Sequence, residues 1–151
     1  MDEELIASAK AIVDSNRYMT LATADADGRP WATPVWYATG DCRRFLWVSS
    51  PDARHSRNIA ARPEIAIVVF DSQVPVGEAQ ALYMDAEAAE LEPDEIDEGL
   101  EVFSSSSRVQ GLRAWTRDEV EPPARLRLYR ASATEQSVLG PGDKRLPLRL
   151  G

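Results

Sequence analysis

Three side chains suited to holding an anion follow a predicted strand in the middle of the sequence. Arg54, His55 and Arg57 lie within four positions of one another, directly after the turn sequence Ser-Pro-Asp. Ser and Asp favour the start of a helix and Pro63 favours its end, so the sequence predicts a helix over 53–61. The first turn of a helix offers free N–H groups and a positive dipole end. The spacing therefore predicts a phosphate site, and the alternative is that these are solvated surface charges.

The strands before and after this helix must position it. Residues 43–50 are predicted as a strand, and 64–70 are almost continuously apolar, as in a buried strand. Earlier, strands over 18–24 and 31–39 are joined by an Asp-Gly turn that favours a hairpin. Pro34 cannot donate a hydrogen bond to a sheet, so we expect its strand at an edge or a bulge. Space of that kind beside aromatic residues suits a flat ligand, although the aromatic residues could equally be core or interface bulk.

The remaining segments complete a mainly β chain. Amphipathic spacing predicts a helix over 3–16. Pro93 is expected to begin another helix, which four consecutive serines (104–107) should end. Further alternation predicts strands over 80–91, 124–131 and 134–139, the last as a hairpin partner. The following Gly-Pro-Gly-Asp (140–143) predicts either a turn or the start of a mobile tail. Six or seven short strands predict a barrel or sandwich, as a single domain over 1–151.

Composition narrows the class of function. A net charge of −8 and a pI near 4.7 disfavour nucleic acid as a partner. We expect no membrane association, because no apolar run of roughly eighteen residues and no signal peptide are present. The lone Cys42 excludes an intramolecular disulfide and favours a reducing, cytoplasmic location.

Several common chemistries are disfavoured by missing motifs. His55 is the only histidine, so one chain cannot form a multi-histidine metal site, and no metal is expected. The sequence has no GxGxxG, no GxxxxGK and no GxSxG, which argues against the usual nucleotide loops and against a serine hydrolase.

The order of elements resembles a known family. The chain is similar to the flavin-binding split-barrel proteins related to pyridoxamine 5′-phosphate oxidase, which include deazaflavin F420-dependent reductases. The similarity lies mainly in YMTLATADADGRPWATPVWY, FLWVSSPDARHSRNIAARPEIAIVVF and GEAQALYMDAEAAEL. It implies a mainly β split barrel of Greek-key order with a few flanking helices. It also implies a homodimer with FMN at the subunit interface and a small-molecule substrate.

The resemblance further implies which residues hold the cofactor. The strand after the first hairpin would line the ring and ribityl chain, and the end of the next strand would add to it. The basic residues at the helix start would hold the phosphate, and a glutamine from the other subunit would reach the ring. The implied cofactor-binding residues are Thr33, Pro34, Val35, Trp36, Tyr37, Val48, Ser49, Arg54, His55, Arg57 and Gln80.

Some positions depart from the family pattern. Thr33 and Ala38 stand where the oxidase has an arginine and a lysine, and His55 replaces the lysine of the phosphate-binding pair. The sequence from 137 onward lacks the arginine- and glycine-rich tail that grips pyridoxal phosphate. These differences argue against oxidation of pyridoxamine phosphate and leave flavin binding as the expectation.

Three functions stay open at this point. The first is an FMN-dependent oxidoreductase, with backbone groups near Val35 and Trp36 bonding the ring edge; no catalytic side chain is assigned, because the flavin carries the chemistry. The second is an F420-dependent reductase, whose acidic cofactor tail would need Arg57, Arg62 and the arginines of the C-terminal segment. The third is a module that binds flavin or haem without turnover, with at most one histidine ligand per chain.

Overall fold

The computed structural model describes residues 2–149, and Met1, Leu150 and Gly151 lie outside the described residues. Three α-helices and seven strands follow one another along this part of the chain. In order they are α1 (Asp2–Ser15), β1 (Tyr18–Ala24), β2 (Pro30–Trp36), β3 (Arg44–Ser49), α2 (Arg54–Ala61), β4 (Glu64–Phe70), β5 (Ala81–Glu90), α3 (Ile96–Val109), β6 (Arg127–Leu139) and β7 (Arg145–Leu148).

All seven strands form one antiparallel sheet with the order β2-β1-β4-β5-β6-β3, and β7 pairs with β6. The sheet curls into a split barrel in which β2 forms one edge, and β3 and β7, both paired with β6, form the other. These edges meet at an isolated bridge in which Ala38 and Leu46 exchange N–H···O bonds of 2.9 and 2.8 Å. We call the remaining gap between β2 and β3 the seam. The mainly β split barrel predicted from the sequence is confirmed.

Strand alternation sends one set of side chains into the barrel. Leu21, Phe45, Trp47, Val69 and Leu82 are completely or almost completely buried there. Helix α1 covers one end of this core with its apolar face. Full burial of each such side chain stabilises the fold by roughly 1.5–3 kcal/mol.

A second apolar cluster forms where α3 packs on the outside of β3. Leu46, Leu100 and Phe103 lie in this cluster. A Cβ atom at position 99 would lie 2.5 Å from Leu91 Cδ1, so only glycine lets α3 approach the sheet this closely. No helix among residues 2–149 is long and apolar enough to cross a membrane.

The predicted strands over 18–24 and 64–70 are confirmed, and two other predictions are wrong. Helix α3 continues through the serines to Val109, because Ser104 and Ser107 are buried and Ser104 Oγ accepts the Trp115 N–H at 3.0 Å. Residues 127–139 form one long strand rather than a hairpin, because β5 pairs along its length with a register shift between Asp85 and Ala86. Of the two alternatives at 140–143, the structure has the turn, over Pro141–Asp143, and β7 follows it in a ladder with β6.

Candidate functional site

The first turn of α2 has backbone N–H groups without an acceptor inside the helix. Its N-cap is Ala53, with no side-chain cap, whereas the sequence predicted a cap from the preceding Ser or Asp. Ser50 Oγ instead accepts the N–H of Asp52 at 3.1 Å. The first bond of the helix joins the Arg57 N–H to the Ala53 carbonyl at 3.0 Å. The N–H groups of residues 54–56 therefore have no acceptor within the helix. This turn has the form of an anion-binding helix start.

His55 lies against the end of β3 at this turn. Its Nε2 is 2.9 Å from Ser49 Oγ, and Ser49 is 9% exposed. Burial lowers the pKa of His55 below its ordinary value of 6.5. The imidazole is therefore neutral at pH 7 and acts as a hydrogen-bonding group.

Arg54 reaches from the same turn to β2. Its guanidinium carbon lies 4.3 Å from the centre of the Trp31 ring, within cation–π range, and Trp31 is 40% exposed. Trp31, Thr33 and Val35 alternate along β2 and so share one face of the strand. The cationic helix start and this face of β2 form one continuous surface.

The backbone of β2 adds hydrogen-bonding groups along the seam. Ala38 bonds to β3 across the seam, while the Tyr37 N–H donates to the Arg17 carbonyl at 3.1 Å. By alternation, the backbone groups of Trp36, Pro34 and Ala32 point in the same direction as those of Ala38, away from β1. This edge continues for about 16 Å from Trp31 to Trp36, at ~3.3 Å per residue.

Three predicted site residues instead have side chains committed to packing. The Trp36 indole N–H donates to Gln110 Oε1 at 2.9 Å, and its ring meets Phe103 edge-on at 5.0 Å. Val48 packs against the same α3 cluster, on the strand face opposite to Ser49. Tyr37 is buried, with its hydroxyl 2.6 Å from the Val13 carbonyl, and burial raises its pKa. For Trp36 and Val48 only the backbone remains available to a ligand, and the backbone N–H of Tyr37 is already bonded to Arg17.

The remaining predicted residues are more scattered. Pro34 is exposed on the outer face of β2, and Arg57 is exposed on α2. Gln80 is exposed just before β5, about 26 Å along that strand from Ala88, whose N–H bonds to Pro63 after α2. Its predicted role involves a partner subunit and stays a prediction.

Two residues at this site escaped the sequence reasoning. Asn58 Nδ2 donates to Thr23 Oγ1 at 3.0 Å, and both residues are buried, so this bond fixes α2 on β1. Arg127 on β6 lies directly opposite Ser49 in the ladder. The alternating Arg125, Arg127 and Tyr129 pattern marked a strand but gave no sign of its pairing partner.

Two cavities of the chain lie away from the start of α2. One of about 270 Å³ is lined by Arg44, Val102 and Arg130, between β3, β6 and α3. Another of about 570 Å³ is lined by Tyr83 and Arg145 on the outer side of β5–β7.

Comparison with known proteins agrees with this geometry. The sequence matches the family model described as pyridoxamine 5′-phosphate oxidase over residues 5–135. The chain belongs to this family. A pyridoxine/pyridoxamine 5′-phosphate oxidase from Anaeromyxobacter dehalogenans is 29% identical over 128 residues, which are 82% of this chain and 59% of that protein. One from Rubrobacter xylanophilus is 30% identical over 104 residues, 69% of this chain and 45% of that protein. The chain thus spans about half the length of the curated relatives it matches.

Solved structures share the fold. A heme binding protein from Mycobacterium smegmatis has a TM-score of 0.71 at 18% identity, covering 93% of this chain and 55% of that one. The heme storage protein HutZ from Vibrio cholerae has a TM-score of 0.65 at 22% identity, covering 89% and 92%. An FAD-binding protein from Mesorhizobium loti has a TM-score of 0.65 at 21% identity, covering 87% and 91%.

Proposed function

We propose that this protein binds FMN and acts as a flavin-dependent oxidoreductase, as a homodimer with the cofactor at the subunit interface. The observation that carries the proposal is the uncapped first turn of α2. Arg54, His55 and Ser49 surround it at the open seam of a barrel of this family. The substrate is a small molecule that the geometry does not single out.

The residues present fit a phosphomonoester joined to a flat ring system. The N–H groups of the first α2 turn and the Arg54 guanidinium would hold the phosphate, with Arg57 one turn away. The face of Thr33 and Val35 would follow the ribityl chain. The free backbone edge near Trp36 would bond the ring, and its length of about 16 Å suits a chain followed by fused rings.

When bound, the flavin would supply hydride or single-electron transfer. The chain's own residues would orient it and exclude water. Trp36, packed on Phe103 and bonded to Gln110, forms a rigid wall that keeps solvent from the ring end of the groove. The Asn58–Thr23 bond holds α2 in place, so the phosphate donors are already positioned.

Two observations support the proposed homodimer and the proposed cytoplasmic location. The outward face of the sheet exposes Tyr18 (61%) and Phe70 (46%), side chains that a second copy would cover. The single half-buried thiol of Cys42 suits a reducing, cytoplasmic location.

The first test is an absorbance spectrum of the purified protein, followed by titration with FMN. We expect flavin bands or saturable FMN uptake. Replacing Arg54 by Ala should weaken FMN binding about 10- to 100-fold, because a charge-assisted hydrogen bond contributes roughly 1.5–3 kcal/mol.

Arg145→Ala is the matched control for that variant. Arg145 also stacks on an aromatic ring, at 3.9 Å from the centre of Tyr83, but it lies on β7. Its loss should leave FMN affinity unchanged. Equal affinities of wild type and Arg54→Ala would contradict the placement of the phosphate.

Haem is the second candidate, because two structural neighbours are described as heme binding and heme storage proteins. His55, the only histidine, would be the axial ligand from this chain, and its bond to Ser49 would have to break. A Soret band that His55→Ala abolishes would favour haem over FMN.

F420 ranks behind both cofactors, because the C-terminal arginines do not extend the α2 groove in one chain. Arg145 is on β7, which pairs with β6 from Gln136 onward. Gln136 lies about 30 Å along β6 from Arg127. Uptake of F420 without FMN uptake would reverse this ranking.

A further inference from the structure

His55 is the one member of the basic group whose charge changes near neutral pH. Arg54 and Arg57 stay cationic at every physiological pH. A phosphate site built on these arginines alone would hold its ligand with a fixed charge. With His55 in the group, the charge of the site depends on whether the imidazole carries a proton.

The surroundings of His55 make a proton unfavourable while the site is free. Burial lowers the pKa of His55, and a cation at a helix start opposes the dipole. Among residues 2–149, no carboxylate forms an ion pair with His55. A proton on this imidazole therefore has no close counter-ion until an anion binds.

Other charged groups around the site are accounted for. Arg127, opposite Ser49 on β6, donates to the Ala124 and Leu126 carbonyls at 2.5 and 2.7 Å. Burial raises the pKa of Tyr129 on the same strand, so its hydroxyl stays neutral. The further charged residues are Asp52 in the turn, Arg54 and Arg57 on α2, Asp25 on the β1–β2 hairpin beside Arg54, and Glu90 on β5 opposite Tyr129.

We propose that a phosphomonoester bound at the first turn of α2 brings one proton onto His55, and that Ser49 passes this change on to the ligand. This inference rests on the proposed function. In the neutral pair, the single hydrogen between Nε2 and Ser49 Oγ can point either way. An imidazolium donates from both ring nitrogens, so Nε2 must donate to Ser49 Oγ. The serine hydroxyl hydrogen then turns outward, toward the anion.

One proton thus adds a positive charge and sets the direction of a second donor. The proton comes from solvent, and the only covalent bond that forms is N–H on the imidazole. A lysine, which the family has at this position, would supply a fixed charge and would not couple binding to proton uptake. A pH-dependent affinity for the phosphate is therefore a property of the histidine in this chain.

The test is calorimetric titration of FMN at each of several pH values between 7 and 8.5, in two buffers of different ionisation enthalpy. In this range the phosphomonoester is already a dianion, since its second pKa is about 6. We expect wild type to take up as much as one proton per FMN. Its affinity should weaken by up to about tenfold for each pH unit gained.

Matched ligands and variants isolate the imidazole. His55→Lys keeps a cation at the site and should bind FMN with no proton uptake and no pH slope. His55→Gln, which keeps a hydrogen-bonding group, should be weaker and equally flat. Riboflavin, which lacks the phosphate, should bind wild type without proton uptake.

The outcomes separate the two proposals. FMN binding to wild type without proton uptake, or equal uptake by His55→Lys, would overturn the coupling and leave FMN binding intact. If neither FMN nor riboflavin binds at any pH, the proposed function fails and the coupling fails with it.

Discussion

Strand β2 carries two tryptophans five positions apart, and their surroundings are opposite. Trp31 is 40% exposed and lies under the Arg54 guanidinium at the start of α2. Trp36 packs edge-on against Phe103, and its indole N–H is satisfied by Gln110 of the α3 region. At the Trp36 end, the side chain packs within the chain and its N–H is bonded. At the Trp31 end, the ring is exposed beside a cationic side chain.

The difference shows which end can bind a ligand. Buried polar groups need partners, and at the α3 end the chain supplies them to Trp36 and Ser104. At the α2 end, the first-turn N–H groups have no acceptor within the helix, and His55 is only half-buried. In the proposed site, the α3 end would therefore be the wall and the α2 end the anchor.

The largest expected effect comes from breaking the wall. Phe103 is 2% exposed and touches both Trp36 and Trp115, so Phe103→Ala should lower the free energy of unfolding by about 3–5 kcal/mol. Urea denaturation would measure the loss. Val109→Ala, at an 85% exposed position of the same helix, is the control and should change stability by less than about 0.5 kcal/mol. A similar small change for Phe103→Ala would contradict the packing described for this end.

The next effect concerns the bond that positions the anchor. Asn58→Ala should cost about 1–3 kcal/mol, because it leaves the buried Thr23 hydroxyl without its donor. Arg57→Ala, exposed on the same helix, should cost little. Denaturation of Asn58→Ala, of Thr23→Val and of the double variant would show whether the two losses couple. Strict additivity in that cycle would mean that the bond contributes nothing.

A smaller effect compares the two tryptophans directly. Trp36→Phe removes one hydrogen bond to Gln110 and should cost about 0.5–1.5 kcal/mol. Trp31→Phe keeps a ring under Arg54 at an exposed position and should cost less than about 0.5 kcal/mol. The same denaturation assay measures both losses of stability. A larger loss for Trp31→Phe than for Trp36→Phe would contradict the packing described for the two ends of β2.

The smallest effect is the pH dependence of stability in the ligand-free protein. Burial lowers the pKa of folded His55 below 6.5, so the unfolded chain binds this proton more readily. The contribution of His55 to stability is complete above about pH 6.5 and is lost as pH falls through the folded pKa. Wild type should therefore lose more stability than His55→Gln between pH 7.5 and 5.5. Parallel curves would show that the imidazole titrates normally.

Sequence reasoning succeeded where local patterns determine structure. The Asp-Gly hairpin placed β1 and β2, the apolar run placed β4, and Pro34 marked an edge strand. The cluster at the helix start was also visible, since Ser49, Arg54 and His55 lie within seven positions and meet at one turn.

Other features depend on contacts that no local pattern encodes. Buried serines extended α3 because Ser104 finds a backbone partner eleven residues away. Trp36 and Tyr37 matched the cofactor pattern in sequence, but α3 and α1 engage their side chains. Asn58 could not be distinguished from a solvated helix residue before Thr23 was placed beside it.

The central claim is that the start of α2 holds the phosphate of FMN. The most direct test compares the affinities of FMN and riboflavin for wild type and for Arg54→Ala at one pH. We predict that wild type binds FMN more tightly than riboflavin by at least about tenfold, because the two ligands differ only in the phosphate and its charge-assisted bonds. In Arg54→Ala this preference should shrink or vanish. Equal binding of the two ligands by wild type would contradict the account.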